Sequence, residues 1–360
     1  VQTEKLNILL LSRYSRLGAS SRVRFYQYLP YLNSHGFEIK TASLFNDDYI
    51  RDLYCGKRSI ANILQCYIAR TGAMLGTKRF DLIWLEKEML PWLPAWFELG
   101  LFRHDAPVVV DYDDAVFHRY DQHKSPVVRR LLGEKLDAVM RKADLVIVGN
   151  DYLGDRARKA GARRVELLPS VVDASKYSVK SPSPENPVTI GWIGSPSTAK
   201  FLRPVASALE EMAVSRGARI VAVGANPGQL DSLPAEIRPW HEESEVAEIQ
   251  AFDIGIMPLP DEPFERGKCG YKLIQYMACG KPVVASPVGV NSVIVRDGVE
   301  GLLPFSFSQW GEALGRLCDN PSLRERLGAA GRKRIEENYS LQSSAPRLEE
   351  LLCSAAGRFR

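Results

Sequence analysis

Short, mostly apolar runs, each followed by a polar turn and a helix-length stretch, recur along the chain. They limit it to very few folds. In the first half the runs are Ile8–Leu11, Phe37–Ala42, Leu82–Leu85, Val108–Val110 and Leu145–Val148. A second round follows at Val188–Trp192, Arg219–Val223, Ile254–Met257 and Pro282–Ala285. A strand apolar at every position is buried on both faces, as parallel strands under crossover helices are. Helices are expected between and after them, at Ser21–Ser34, Arg129–Lys142, Arg203–Arg216, Tyr271–Cys279, Ser308–Asp319, Ser322–Glu337 and Ala345–Cys353. Strand and helix in alternation give βαβ units and parallel sheets. The pattern restarts after Ser181-Pro182-Ser183-Pro184-Glu185-Asn186-Pro187, a stretch that no helix interior or central strand accommodates. The expected class is therefore α/β, with two Rossmann-like doubly wound domains. Residues 1–180 form the first, 181–187 a linker, 188–340 the second, and 341–360 a C-terminal helix packing back toward the first. A chain of 360 residues suits two domains of ~100–200 residues each. Ligands of parallel sheets sit at the carboxyl ends of the strands, so the expected site is a cleft faced by both domains.

Composition excludes several alternatives. With 45% hydrophobic and 25% charged residues the chain is neither disordered nor a coiled coil. The net charge of +4 divides into +7 for residues 1–180 and −3 for 181–360. A basic first half favours an anionic partner such as a membrane surface or phosphorylated lipid, although a scattered solvated surface is the simpler account. The six cysteines contain no C-x-x-C pair, and reduced thiols in a cytoplasmic protein account for them. Leu6–Leu11 is strand-length and not a signal pattern, and no stretch reaches the ~20 apolar residues of a membrane span. A cytoplasmic protein is expected, with any membrane contact peripheral, at the inner face. Nucleic acid is not an expected partner, since only a mild basic excess speaks for it.

Chemistry concentrates in two segments. Gly267-Lys268-Cys269-Gly270-Tyr271-Lys272 opens the helix expected to run to Cys279. A helix N-terminus offers N–H donors and positive dipole to an anion such as a diphosphate. Lys268 and Lys272 lie four apart and are expected on one helical face. Cys269 and Cys279 read as packing residues. The second segment, Val108-Val109-Val110-Asp111-Tyr112-Asp113-Asp114 through His118, puts acids at the carboxyl end of a buried strand. Asp113, Asp114 and His118 are candidates for contact with substrate; helix capping or loop anchoring is the alternative. Glu86 and Glu88 reach the same rim. The run Leu90-Pro91-Trp92-Leu93-Pro94-Ala95-Trp96-Phe97 reads first as packing and second as a membrane-interface segment, with Arg129-Arg130 and Arg163-Arg164 as electrostatic helpers.

Residues 267–285, with Pro287-Val288-Gly289-Val290-Asn291 and Asp297–Leu303, resemble the family-4 retaining glycosyltransferases of the GT-B fold, the glycosyl transferases group 1. Gly191–Ser195 resembles the first strand and turn of that family's donor domain, and Leu168–Asp173 its turn before the linker. Gly18, Arg22 and Arg24 resemble its N-terminal loop. The resemblance implies a nucleotide diphosphate sugar bound by the second domain, through Gly194, Ser195, Lys200, Lys268, Gly270, Tyr271, Lys272 and Gln275. It implies a saccharide or lipid-linked saccharide acceptor on the first, near Gly18, Arg22 and Arg24. Catalysis would fall to Asp113, Asp114 and His118, with retention of configuration. No metal and no other cofactor is expected; the D-x-D pattern at Asp111–Asp113 is a metal signature of the GT-A class. Bacterial surface polysaccharide or glycolipid synthesis is the implied setting.

The chain departs from the family pattern in two places. Gly267 and Gln275 stand where the family has two glutamates; Gln275 still offers an amide to a ribose hydroxyl, while Glu265, Glu262 and Asp261 remain open for the sugar. Ser195 occupies the place of a family arginine. A nucleotide-sugar 2-epimerase and a non-catalytic nucleotide-sugar binder remain as alternatives. A dinucleotide dehydrogenase is disfavoured because no G-x-G-x-x-G turn is present.

Overall fold

A computed structural model describes residues 5–57, 59–75, 80–101, 106–180 and 187–357. Residues 181–186 of the expected linker lie outside them. The chain divides into two compact units: Val1–Ser170 with Gly267–Cys269 and Ser344–Arg360, and Val171–Arg266 with Gly270–Ser343. The first division thus falls at Ser170, ten residues before the expected boundary, because the chain from Val171 onward already packs in the second unit. Arg332 of the helix Pro321–Asn338, for example, donates to the carbonyls of Tyr177 and Ala174.

The first unit holds a parallel sheet of β1 (Leu6–Leu11), β2 (Phe37–Thr41), β3 (Leu82–Glu86), β4 (Val108–Tyr112), β5 (Leu145–Val148) and β6 (Val165–Leu167), in the order β2-β1-β3-β4-β5-β6. Strands β3, β4 and β5 are buried at every residue. The second unit repeats the plan with β7 (Thr189–Ile193), β8 (Arg219–Val223), β9 (Ala235–Arg238), β10 (Ile254–Met257), β11 (Val283–Ala285) and β12 (Gly301–Leu302), all parallel, in the order β12-β11-β10-β7-β8-β9. Each order reverses direction once, between β1 and β3 in the first sheet and between β7 and β10 in the second. A parallel sheet leaves its crevice at such a reversal, at the carboxyl ends of the strands.

Three expected helices are broken, each for a local reason. Ser21–Ser34 is Ala19–Arg24, a 3₁₀ turn Tyr26–Tyr28 and Leu29–Ser34, with Phe25 out of helical geometry at φ −129°. Arg129–Lys142 is Pro126–Leu132 and Lys135–Lys142, divided at Gly133. Arg203–Arg216 begins only at Ala206, since Pro204 lacks the N–H an α-helix needs and the preceding stretch Pro196–Val205 is 3₁₀. The last helix runs from Leu341 to Ala355, and from Ser344 it belongs to the first unit. There Arg347 bonds Glu166 at 2.9 Å and Glu349 accepts from Tyr31 at 3.1 Å. The six cysteines form no disulfide.

Candidate functional site

In the second unit the β7–β10 reversal lies beside the turn Gly194-Ser195. Gly194 donates to Val223 O at 3.0 Å, and a β-carbon on it would meet the Trp192 ring and fall 2.9 Å from Lys272 Cε. The close approach of Lys272 requires a residue without side chain there. Lys272 Nζ stands 5.0 Å from the centroid of the Trp192 ring, a cation–π geometry. Lys272 belongs to the helix Tyr271–Ala278, whose positive end is opened by Gly270 in the left-handed region at φ 64°. Ser195 opens the 3₁₀ stretch Pro196–Val205, its amide donating to Thr198 Oγ1 at 3.3 Å. Lys200 lies on that stretch, exposed, with its ammonium over the Phe201 ring.

Gln275 sits about one turn inside the same helix and is buried. Its amide nitrogen donates to Glu245 Oε1 at 2.6 Å and to the Tyr177 hydroxyl at 3.2 Å, while Trp240 Nε1 donates to Glu245 Oε2 at 2.8 Å. Burial, with the Glu245 charge, pushes the Tyr177 phenol up, and hydrogen bonds to Gln275 and Tyr271 oppose it. A carboxylate is thus delivered to the neighbourhood of Gln275 from a different loop. Nothing in the sequence pointed to Glu245, which lies 30 residues upstream.

Lys268 does not share a helical face with Lys272. Gly270 turns the chain between them, and Gly267–Cys269 belongs to the first unit. There Asn150 Nδ2 donates to the carbonyls of Gly267 and Lys268, both at 3.0 Å, and Lys268 Nζ stands 3.8 Å from Asp114. The absence of a glutamate at 267 has a steric cause: a β-carbon on Gly267 would lie 2.4 Å from Ala115 Cβ and 2.9 Å from its backbone nitrogen. Gly267→Glu is therefore expected to lower stability by about 1–3 kcal/mol through overpacking, seen as a fall in melting temperature. An unchanged melting temperature would show that the segment yields freely. Of the acids left open for the sugar, Asp261 is held by Arg266 at 2.6 Å, Glu265 is buried and Glu262 exposed.

In the first unit the β1–β3 reversal gathers the acids expected at this rim around a lysine, Lys87, that the sequence did not disclose. Glu86, the last residue of β3, accepts from the Arg13 amide at 2.7 Å and from Ser21 Oγ. Lys87 follows with φ 63°, a left-handed conformation that lysine rarely adopts, and its amide donates to Asp111 O. The buried ammonium meets Asp113 at 2.7 Å, Ser20 Oγ at 2.8 Å and Glu86 at 3.6 Å. Ser20 also donates to the second oxygen of Asp113. Burial disfavours both charges, but the pairing outweighs it: Lys87 is held above the ordinary lysine range and Asp113 below the carboxylate range. Asp114, alongside, is more exposed.

The other residues expected here are tied into the fold. Both ring nitrogens of His118 are engaged, Nδ1 with Asp121 at 2.9 Å and Nε2 with the Tyr152 hydroxyl at 2.8 Å. Arg24 is fully buried, its guanidinium clamped on both oxygens of Asp111 at 2.8 and 2.9 Å and on Leu168 O. A side chain so enclosed does not face an acceptor, and Arg24 is a framework residue. Arg22 is largely buried and reaches Arg16 O at 3.4 Å; Gly18 opens the helix Ala19–Arg24. Burial pushes the Cys279 thiol up to about 12 and Cys269 higher still, as suits packing residues.

Residues 187–320 match the sequence model of the family described as glycosyl transferases group 1. A D-inositol 3-phosphate glycosyltransferase of Streptomyces griseus is 32% identical over 154 residues, 42% of this chain and 28% of that protein. The chain spans 28% to 54% of the length of the first curated relatives it matches. Among solved structures, a sucrose-phosphate synthase from Thermosynechococcus elongatus superposes with a TM-score of 0.73 at 16% identity, covering 96% of this chain and 98% of that one. Anabaena HepE, solved in complex with UDP and glucose, gives 0.69 at 17% identity over 97% of this chain and 100% of that one. The chain therefore has the GT-B fold, and its segment 187–320 is similar to the glycosyl transferases group 1 family.

Proposed function

We propose that this chain transfers a sugar from a nucleoside diphosphate sugar to a hydroxyl of a saccharide or lipid-linked saccharide, with retention of configuration and without a metal. The observation that carries the reading is the cationic corner of the second unit. Lys272, on the first turn of a helix opened by Gly270, lies against Gly194 at the carboxyl end of β7, where a parallel sheet binds its ligand. Charge develops on the departing diphosphate as the glycosidic bond breaks. A helix dipole and an ammonium fixed beforehand stabilise that charge more than they stabilise the bound donor. The departing phosphate oxygen takes the proton of the attacking hydroxyl. Gln275 and Glu245 supply the hydrogen-bonding pair for the ribose. UDP is the first base to test, because the structural neighbour HepE was solved with UDP and with UDP-glucose.

Thermal-shift titration with UDP, GDP and ADP is expected to show one selective stabiliser, its effect growing with the logarithm of concentration above Kd. Lys272→Ala is expected to weaken that ligand about tenfold, the loss of one charge-assisted hydrogen bond. An unchanged Kd would remove Lys272 from the donor site. Product analysis with donor alone tests the epimerase reading: a converted sugar without acceptor would replace transfer by epimerisation. Dialysis against EDTA is expected to leave turnover unchanged, and a loss restored by a divalent cation would overturn the metal-free part.

A further inference from the structure

Most large apolar side chains that the described residues expose lie in one stretch of the first unit. On the helix Ile60–Leu75, Ile60, Leu64 and Ile68 are 80%, 61% and 65% exposed. They are four residues apart and form one stripe along the helix, opposite the buried Cys66, Arg70 and Met74. Trp96 is 74% exposed and Trp92 half-exposed, so the run packs through Leu90 and Leu93, as read from its sequence, while its tryptophans stand at the surface. Val127 and Leu131 stand out from the helix Pro126–Leu132 in the same i, i+4 relation.

These elements adjoin one another. Tyr67 of the long helix donates to Pro91 O at 2.7 Å, and the next residue, Trp92, packs its ring against His123 at 5.8 Å, just ahead of Pro126–Leu132. The second unit exposes its large apolar residues at scattered positions such as Val214 and Phe305, which needs no explanation. A gathered set does.

The tryptophan loop is held out by buried charge. Glu98 accepts from the amides of Met89 and Leu90, and Lys135 ties Glu98 to Glu88 at 3.1 and 2.7 Å while bonding Leu90 O. Tyr120 donates to Glu88 and accepts from the Trp92 amide. Trp92 itself is kept at φ 64°, the only residue besides Lys87 among the described non-glycines with positive φ. A core that merely had to exclude water would not hold a tryptophan in that conformation with half its surface wet.

Charge then selects the occupant. The exposed cations among the described residues beside these elements are Lys57, Lys124, Arg129 and Arg130, while Glu98 is buried. A cationic apolar face repels its own copy and suits an anionic lipid surface, with tryptophan at the headgroup boundary and the stripe just below it. No helix among the described residues is long and apolar enough to cross a membrane, so contact is from the side. We propose that this face of the first unit docks peripherally on an anionic bilayer. The inference stands on the first unit alone and does not need the transfer reaction.

The test is flotation of the full chain with vesicles of phosphatidylcholine, alone or with roughly one-third phosphatidylglycerol, at low and high salt. Binding is expected only with phosphatidylglycerol, weakened by salt and accompanied by a blue shift of tryptophan fluorescence. Ile68→Asp and Trp96→Ala should each weaken it about tenfold, and Arg130→Glu about fivefold or more. These side chains are exposed, so the variants should melt where the parent does; Val214→Asp, in the second unit, serves as the control and should bind normally. Absence of binding, equal binding to neutral vesicles, or a control as impaired as the variants would overturn the proposal. So would a dimer in light scattering that Ile68→Asp dissociates, because the face would then belong to a second copy of the chain.

Discussion

Arg24→Met is expected to cost about 3–5 kcal/mol of stability, read as a lower denaturant midpoint with an unchanged slope. The loss comes from what the substitution leaves behind. Asp111 lies at the end of a fully buried strand, and the two Arg24 contacts are its charge partners. Without them a carboxylate stands in a low-dielectric interior, and Leu168 O loses a donor as well. Burial already pushes the Asp111 carboxyl up to about 6 with Arg24 beside it. A carboxyl whose folded pKa exceeds its unfolded value gives stability at low pH that is lost as pH rises through the folded pKa. In the variant that pKa rises further, so the penalty should shrink on acidification toward pH 5 and be largest above neutrality. Replacing both partners, Arg24→Met with Asp111→Leu, should recover most of the loss, because no uncompensated charge remains. A full-sized penalty in the double variant, or a single-variant penalty independent of pH, would refute the account.

Arg24 also shows where sequence reading reached its limit. Strands were legible wherever burial on both faces demanded an unbroken apolar run. Leu145–Val148 and Ile254–Met257 coincide with β5 and β10. Of the strands that end the sheets, β2 was read in spite of its polar positions, whereas β6, β9 and β12 went unread. In β9 the side chains are held by ion pairs, Glu236 standing between Arg219 and Arg238 at 2.9 and 2.8 Å. The segment at Gly270 was legible because a glycine-opened helix is a local pattern. In the first unit the acids Glu86, Glu88 and Asp113 were legible at the strand rim, but the burial of Lys87 among them was not. Only the adjacency of β1, β3 and β4 buries it, and adjacency is a property of topology. The apolar run at Trp92 was only half legible for the converse reason: Leu90 and Leu93 pack as hydrophobicity suggests, but the ion network that holds the tryptophans outward comes from residues up to 47 positions away.

Asp113→Asn is expected to reduce turnover by ~100-fold while leaving nucleotide binding unchanged, the signature of a lost orienting contact. Lys87 takes one carboxylate oxygen at 2.7 Å and Ser20 the other. An ionised carboxylate offers about four acceptor positions, so an acceptor hydroxyl can still be received. Asparagine replaces one oxygen by a donor and removes the charge, so it faces Lys87 with the wrong partner and the hydroxyl with a weaker acceptor. On the expectation that Asp113 receives the acceptor hydroxyl, Lys87 would act through it as a positioning residue, and its variants separate that role from simple damage. The pairing depresses the Asp113 pKa, so activity that needs the carboxylate is present above that pKa and is lost as pH falls through it. Lys87→Met removes the depressing charge, and the acid limb of the rate profile should move to higher pH, with kcat falling more than KM changes. Lys87→Arg keeps the charge and should restore much of the rate and the original limb. An acid limb that stays in place in Lys87→Met, or an Asp113→Asn enzyme that turns over normally, would confine this buried triad to holding the loop after β4 in shape.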